Sequence, residues 1–196
     1  MVFDKQGNLY GVATNDDCCE DAGGFVFRLS KGANGTWSEN VIYKFTADEG
    51  YPYSDLATDS AGNLYGVTYA GEGTYYGEVF KLSPTAGGTW KGTILYTFPG
   101  TNDIGYPAVG VTIDGKGNLY GPAYMAYIHG NYYGAVYELS PRPNGPWKLS
   151  ILHNFHGNDG SLLNSRLVFD SSGNLYGTAT QPDPGLVFEL SPVPGG

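Results

Sequence analysis

Asp4-Lys5-Gln6-Gly7-Asn8-Leu9-Tyr10-Gly11 opens this 196-residue chain, and its pattern comes back three times. Asp59-Ser60-Ala61-Gly62-Asn63-Leu64-Tyr65-Gly66 is the second copy, residues 114–121 the third and residues 170–177 the fourth. The Gly-Asn pairs start at 7, 62, 117 and 173, so the period is 55 or 56 residues. A fixed period of this size is the mark of a repeat architecture. Within each copy, Asp suits a turn whose backbone N–H groups it can bond. Gly and Asn tolerate the positive φ of a tight hairpin. The stretch therefore predicts two short antiparallel strands joined by that hairpin.

Further elements recur in order behind it. Val26-Phe27-Arg28-Leu29-Ser30 returns as Val79 to Ser83, Val136 to Ser140 and Val187 to Ser191. Its alternation predicts a third strand with two different faces. A Gly/Pro-rich loop then leads to Trp37, Trp90 or Trp147. A fourth strand follows at Val41 to Phe45, Ile94 to Phe98 and Ile151 to Phe155. No helical periodicity is visible. Four short antiparallel strands in each unit of about 50 residues predict an all-β β-propeller of four repeats, at about 1–53, 54–108, 109–164 and 165–196, in a single domain. The last blade lacks its fourth strand, so fifteen strands are expected. Two arrangements fit: a four-bladed propeller with a three-stranded final blade, or part of a larger ring. The unpaired edge at Leu186 to Leu190 invites self-association.

The order Asp-x-x-Gly-Asn-Leu-Tyr-Gly, Gly-x-Val-Phe-x-Leu-Ser-Pro, Trp, Leu-Tyr-x-Phe resembles the GloVer-type tandem-repeat proteins of bacteria over nearly the whole chain. The resemblance implies a propeller-like protein that is secreted or held at the cell surface. It brings no catalytic residues to carry over. The hairpin is also similar to those of lactonase-like and NHL-type propellers, whose metal-ligand sets are not matched here.

Composition narrows the function classes. The formal net charge is −9 and no basic stripe is present, which argues against nucleic-acid binding. No apolar run is long enough to span a bilayer. The two cysteines, Cys18 and Cys19, are adjacent and cannot staple distant segments. The first residues form no signal stretch.

Recurrence also sorts the candidate sites. What repeats serves the fold, and what breaks the repeat is where a site can be added. The hairpins and Trp loops, which share one side of the blades, read as structural. The loops between second and third strands, and the crossovers between repeats, vary in length and content, as functional loops do. They are rich in tyrosine: Tyr69, Tyr75, Tyr76, Tyr124, Tyr127, Tyr132 and Tyr133, with Tyr51, Tyr53 and Tyr106 on the crossovers. Such rings can stack on a sugar face or pack the loops together. Asp48, Asp103 and Asp159 follow the Phe that ends each fourth strand and read as turn residues. If they converged they could hold Ca²⁺, which takes about 6–8 oxygen ligands; no other cofactor is suggested. The Asn15 to Asp21 loop, with Cys18 and Cys19, breaks the repeat most sharply but matches no metal-binding spacing. His153 stands where Tyr43 and Tyr96 stand and reads as a core substitution. His129 and His156 lie off the repeat. With Asp103 they are the candidate catalytic groups, acting as general base with a tyrosine partner.

The leading expectation is a non-catalytic binding or surface-interaction propeller, extracellular, that takes a glycan or protein on its Tyr/Asp-rich loops. The alternative is a carbohydrate-active hydrolase or lyase with its site at the propeller axis on the same side. A purely structural repeat is the third possibility.

Overall fold

The computed structural model describes residues 1–15, 23–69, 76–99, 104–107, 109–125, 127–128 and 131–192, and of residues 15, 47, 125, 127, 128, 131 and 132 the backbone alone. The chain forms two compact units, Met1–Phe98 and Pro99–Gly196, each holding two repeats.

The fold is all-β, of the β-propeller class, with one antiparallel sheet of blade type per repeat. The first contains β1 (Val2–Phe3), β2 (Leu9–Asn15), β3 (Gly23–Lys31) and β4 (Trp37–Phe45), paired in that order. The second contains β5 (Ala57–Thr58), β6 (Leu64–Thr68), β7 (Glu78–Pro84) and β8 (Trp90–Thr97), again in order. In the second unit, β9 (Gly105–Pro107) precedes the third blade, made of β10 (Thr112–Ile113), β11 (Leu119–Met125), β14 (Ala135–Ser140) and β15 (Lys148–Asn154). Between β11 and β14 stand β12 (Tyr127–Ile128) and β13 (Asn131–Tyr132), a small hairpin of their own. The fourth repeat adds β16 (Ser161–Leu163), β17 (Val168–Phe169), β18 (Leu175–Gln181) and β19 (Leu186–Leu190). The fifteen expected strands are present. The four beyond them, β9, β12, β13 and β16, lie in crossovers and a variable loop, where no period could announce them. A single 3₁₀ turn, Ala47–Glu49, is the helical exception among the described residues.

The hairpin motif is accounted for residue by residue. In the second copy, Asp59 Oδ1 accepts the N–H groups of Ala61 and Asn63, each at 2.9 Å. Its Oδ2 accepts the Asn63 side-chain amide at 2.7 Å and the Tyr65 hydroxyl at 3.0 Å. Asp4, Asp114 and Asp170 repeat the same four bonds. The two glycines have different reasons. Gly62 sits at φ +80 with open space where a Cβ would be, so only its backbone conformation demands glycine. Gly66 pairs with Phe80 across the sheet, and a Cβ there would fall 2.5 Å from the Phe80 ring. The glycine leaves the room into which the neighbouring strand lays its aromatic ring.

Each unit has its core between its two sheets, and the two cores match. In the first, Tyr10, Val26 and Phe45 of one repeat close on Leu56, Leu64, Phe80 and Leu82 of the next. In the second, Val136 and Phe155 close on Leu163, Leu167, Leu175 and Ala179, with Phe188 packed against them. The Phe that ends a fourth strand meets the third-strand Phe of the following repeat edge-on. The centroids are 4.9 Å apart for Phe45–Phe80 and 5.0 Å for Phe155–Phe188. Burying one such ring contributes about 2–3 kcal/mol. A single blade has no such cover for its faces, which is why the sequence repeats.

Candidate functional site: the tyrosine-bearing loop side

The crossovers are not free loops. Each lies along the end of the following repeat's second strand and pairs with it. Pro52 bridges Thr68, Pro107 pairs with Ala123 in β11, and Leu163 pairs with Ala179 in β18. Tyr69 N–H donates to Tyr51 C=O at 2.9 Å, and Tyr53 N–H to Val67 C=O at 3.3 Å. This pairing is what gathers crossover tyrosines beside those of the second strands. The Tyr53 and Tyr69 rings lie 6.2 Å apart at 56°, and 63% and 39% of these residues is exposed. Tyr76, Tyr106, Tyr124 and Tyr133 are half-buried. Tyr133 packs against the crossover backbone, where a Cβ on Gly157 would meet its ring. Tyr127 and Tyr132 face each other in register across the β12–β13 hairpin. Tyr75, His129, Asp103, Cys18 and Cys19 lie outside the described residues, as do the side chains of Tyr127 and Tyr132. Tyr106 adopts φ 55, but so does Leu162, its equivalent in the next repeat. The strained backbone therefore belongs to the crossover fold and not to a site on Tyr106.

Two carboxylates on this side, Glu49 and Asp159, are tied into turns. The Tyr43 hydroxyl donates to Glu49 Oε1 at 2.6 Å, and Thr46 N–H donates to Glu49 Oε2 at 2.9 Å. In the last crossover His153 Nε2 is 3.0 Å from Asp159 Oδ2, and His156 N–H donates to Asp159 Oδ1 at 2.7 Å. Both clamps span six residues and carry the carboxylate on the fourth residue after the strand-ending Phe. Asp48 lies on the 3₁₀ turn, as a turn residue, with its side chain exposed, and its neighbour Glu49 makes the clamp. Burial draws the Asp159 carboxyl upward, but the His156 N–H and the His153 ring outweigh it and hold the carboxyl below its ordinary range. His153 keeps the tyrosine's place: its ring meets Phe155 edge-on at 4.6 Å, as Tyr43 meets Phe45 at 5.0 Å. It is half-exposed and not core, because its nitrogen serves Asp159. His156 is exposed, and its neighbouring polar group is Asp159, with Nδ1 at 3.8 Å, where a tyrosine was expected. Among the described residues no three His, Cys, Asp or Glu side chains cluster to hold a metal ion.

One group on this side was missed. Glu78, at the start of β7, is only 6% exposed and accepts the Thr97 hydroxyl at 2.8 Å. The signal was available, because the same repeat position holds Phe25, Ala135 and Leu186. A carboxylate in an apolar register breaks the pattern as clearly as any loop. Burial, reinforced by the nearby Glu49 charge, pushes the Glu78 carboxyl above its ordinary 4.5, against the pull of Thr97. A folded-state pKa raised in this way disfavours the ionised group, so stability is lost as pH rises from 4.5 through the folded value. Glu78→Gln is accordingly expected to raise the melting temperature at pH 7, with the gain vanishing below pH 4.5. Thermal unfolding of both proteins across that range checks it.

The model of the Gloeobacter/Verrucomicrobia repeat matches residues 1–196, and the chain belongs to that family. No curated protein sequence matches the chain.

Proposed function

We propose that the chain is a non-catalytic binding module, working outside the cell or at its surface, that takes a glycan on its tyrosine-bearing loop side. The observation that carries this reading is the exposed Tyr53–Tyr69 pair, set on a paired crossover and not on a loose loop. A tilted pair of aromatic faces with hydroxyl tips suits a sugar, which is apolar on its ring faces and polar at its rim. Repeat membership supports a binding or interaction fold in general terms. Glu49, Asp159 and His153 are engaged in turn clamps, which supports binding over turnover at those residues.

A glycan array followed by titration tests the proposal. Because both rings are exposed, Tyr53→Ala and Tyr69→Ala should leave the melting temperature in place. Each is expected to weaken the retained glycan about tenfold, some 1.4 kcal/mol. Retention of no glycan, or binding indifferent to both substitutions, would refute it; capture of a protein in place of a glycan would move the ligand class.

The hydrolase or lyase reading has one observation in its favour, a buried carboxyl at Glu78 with a second carboxylate, Glu49, near enough to raise its pKa. Turnover of a polysaccharide panel, abolished by Glu78→Gln, would support that reading over binding.

A further inference from the structure

The hairpin side, expected to be purely structural, carries a cleft of about 720 Å³ in the first unit, between the first two repeats. Its walls are the two Asp-Gly-Asn hairpins, Arg28 of β3, and the loop that leads into Trp90. A volume of this size holds one or two sugar rings. Trp90 is half-buried: it joins the core beside Tyr10, whose ring meets it edge-on at 5.8 Å, and it also lines the cleft.

The polar lining is lopsided once its bonds are followed. Asp4 and Asp59 both face the cleft, yet each has its two oxygens taken by four donors of its own hairpin. Lys5 and Arg28 balance their charge. Arg28 reaches the Tyr10 hydroxyl, which is itself bonded to Asp4, while the buried Arg28 Nε has no hydrogen-bond partner among the described residues. The charged groups that remain to meet a ligand are cations, the Arg28 guanidinium and the Lys5 ammonium, beside the Gln6 amide and the Ser60 hydroxyl, which can donate or accept. The position is not a constant of the repeat. Residues equivalent to Arg28 are Lys81, Glu138 and Glu189, and Glu138 spends its carboxylate on the Ser140 hydroxyl at 2.6 Å. The second unit therefore reverses the charge at the same place.

From this arrangement we infer that the cleft is a second ligand site, for an anionic saccharide unit whose carboxylate or sulfate lies on Arg28 and Lys5 while its ring rests on Trp90. An acceptor-rich anion matches a lining whose two carboxylates are already occupied by their own hairpins. A guanidinium takes such a group in two parallel hydrogen bonds.

Titration calorimetry with a glucuronate-containing disaccharide, its carboxyl-reduced neutral counterpart and a sulfated disaccharide tests the site. The acidic sugars should bind saturably, at least tenfold tighter than the neutral one, and more weakly as salt is raised. Arg28→Gln should erase that preference, and Lys5→Gln, at an exposed position, should reduce it without touching the fold. Binding of only one of the two acidic sugars would identify the anion and support the site. Equal binding of acidic and neutral sugars, no saturable binding of either acidic sugar, or full acidic binding by Lys5→Gln and a folded Arg28→Gln would overturn it. The site stands apart from the tyrosine pair: Tyr69→Ala should leave acidic-sugar binding unchanged, and Arg28→Gln should leave the array-selected glycan unchanged.

Discussion

Asp59→Ala should lower the stability of the first unit by about 3 kcal/mol, the loss of a networked acceptor with a buried donor left behind. Asp59 accepts four hydrogen bonds. The two backbone N–H groups sit at a hairpin tip, where water replaces the carboxylate at small cost. The other two donors are different. Asn63 loses the partner that orients its amide, and Tyr65, only 5% exposed, is left with a hydroxyl that water reaches poorly. Urea denaturation should show a lower midpoint at unchanged slope. The equivalent change at Asp170, in an exposed hairpin, should cost visibly less. The pH dependence follows from the same bonds. Burial draws the Asp59 carboxyl upward, but Asn63, Tyr65 and the backbone N–H groups prevail and hold it below its ordinary 3.8. A depressed carboxyl gives stability that is complete above 3.8 and lost as pH falls through the folded value. The gap between wild type and Asp59→Ala should therefore narrow in acid. Equal losses at Asp59 and Asp170, or a gap that widens in acid, would contradict this account of the motif.

Gly66→Ala is expected to cost about 3 kcal/mol as well, by overpacking. The added Cβ would stand 2.5 Å from Phe80 Cζ and 3.0 Å from Leu56 Cδ2, and both side chains are fully buried. Phe80 cannot retreat, because Phe45 lies against its ring. Gly62→Ala, four residues earlier in the same motif, meets no atom within 4 Å and should cost only about 1 kcal/mol, for its positive φ. The contrast separates space from backbone conformation. In the Gly66→Ala background, Phe80→Leu should recover part of the loss, so that the double variant is more stable than the sum of the two single losses implies. Urea midpoints for the four proteins decide the matter. A harmless Gly66→Ala, or strictly additive losses, would show that the ring does not use the glycine's space.

The repeat was legible because each copy solves the same local problems with the same residues. Asp, Asn, Tyr and the second Gly each have a bond or a contact of their own, and the first Gly a positive φ, so the period could be read and the strands placed. The crossover strands β9 and β16 were not legible. Their pairing rests on main-chain bonds to β11 and β18, which leave no alternation in three-residue segments. Glu49 was passed over for Asp48 because sequence shows that an acid follows the Phe but not which of two adjacent acids turns back toward Tyr43. Glu78 stands inside a regular strand and not in a variable loop, and only the apolar residues at the same position of the other repeats mark it. The hairpin side was read as structural because its motif repeats, but the cleft there is lined by Arg28 and Trp90, which come to one wall only once two repeats are stacked.

The central claim is that recurring residues build the fold while the tyrosines of crossovers and variable loops take the ligand. Amide chemical-shift mapping with the neutral glycan retained on the array tests it most directly. Saturable shifts should centre on Tyr51, Tyr53 and Tyr69 and leave the Asp-Gly-Asn hairpins in place. Shifts centred on those hairpins, or none that saturate, would contradict it.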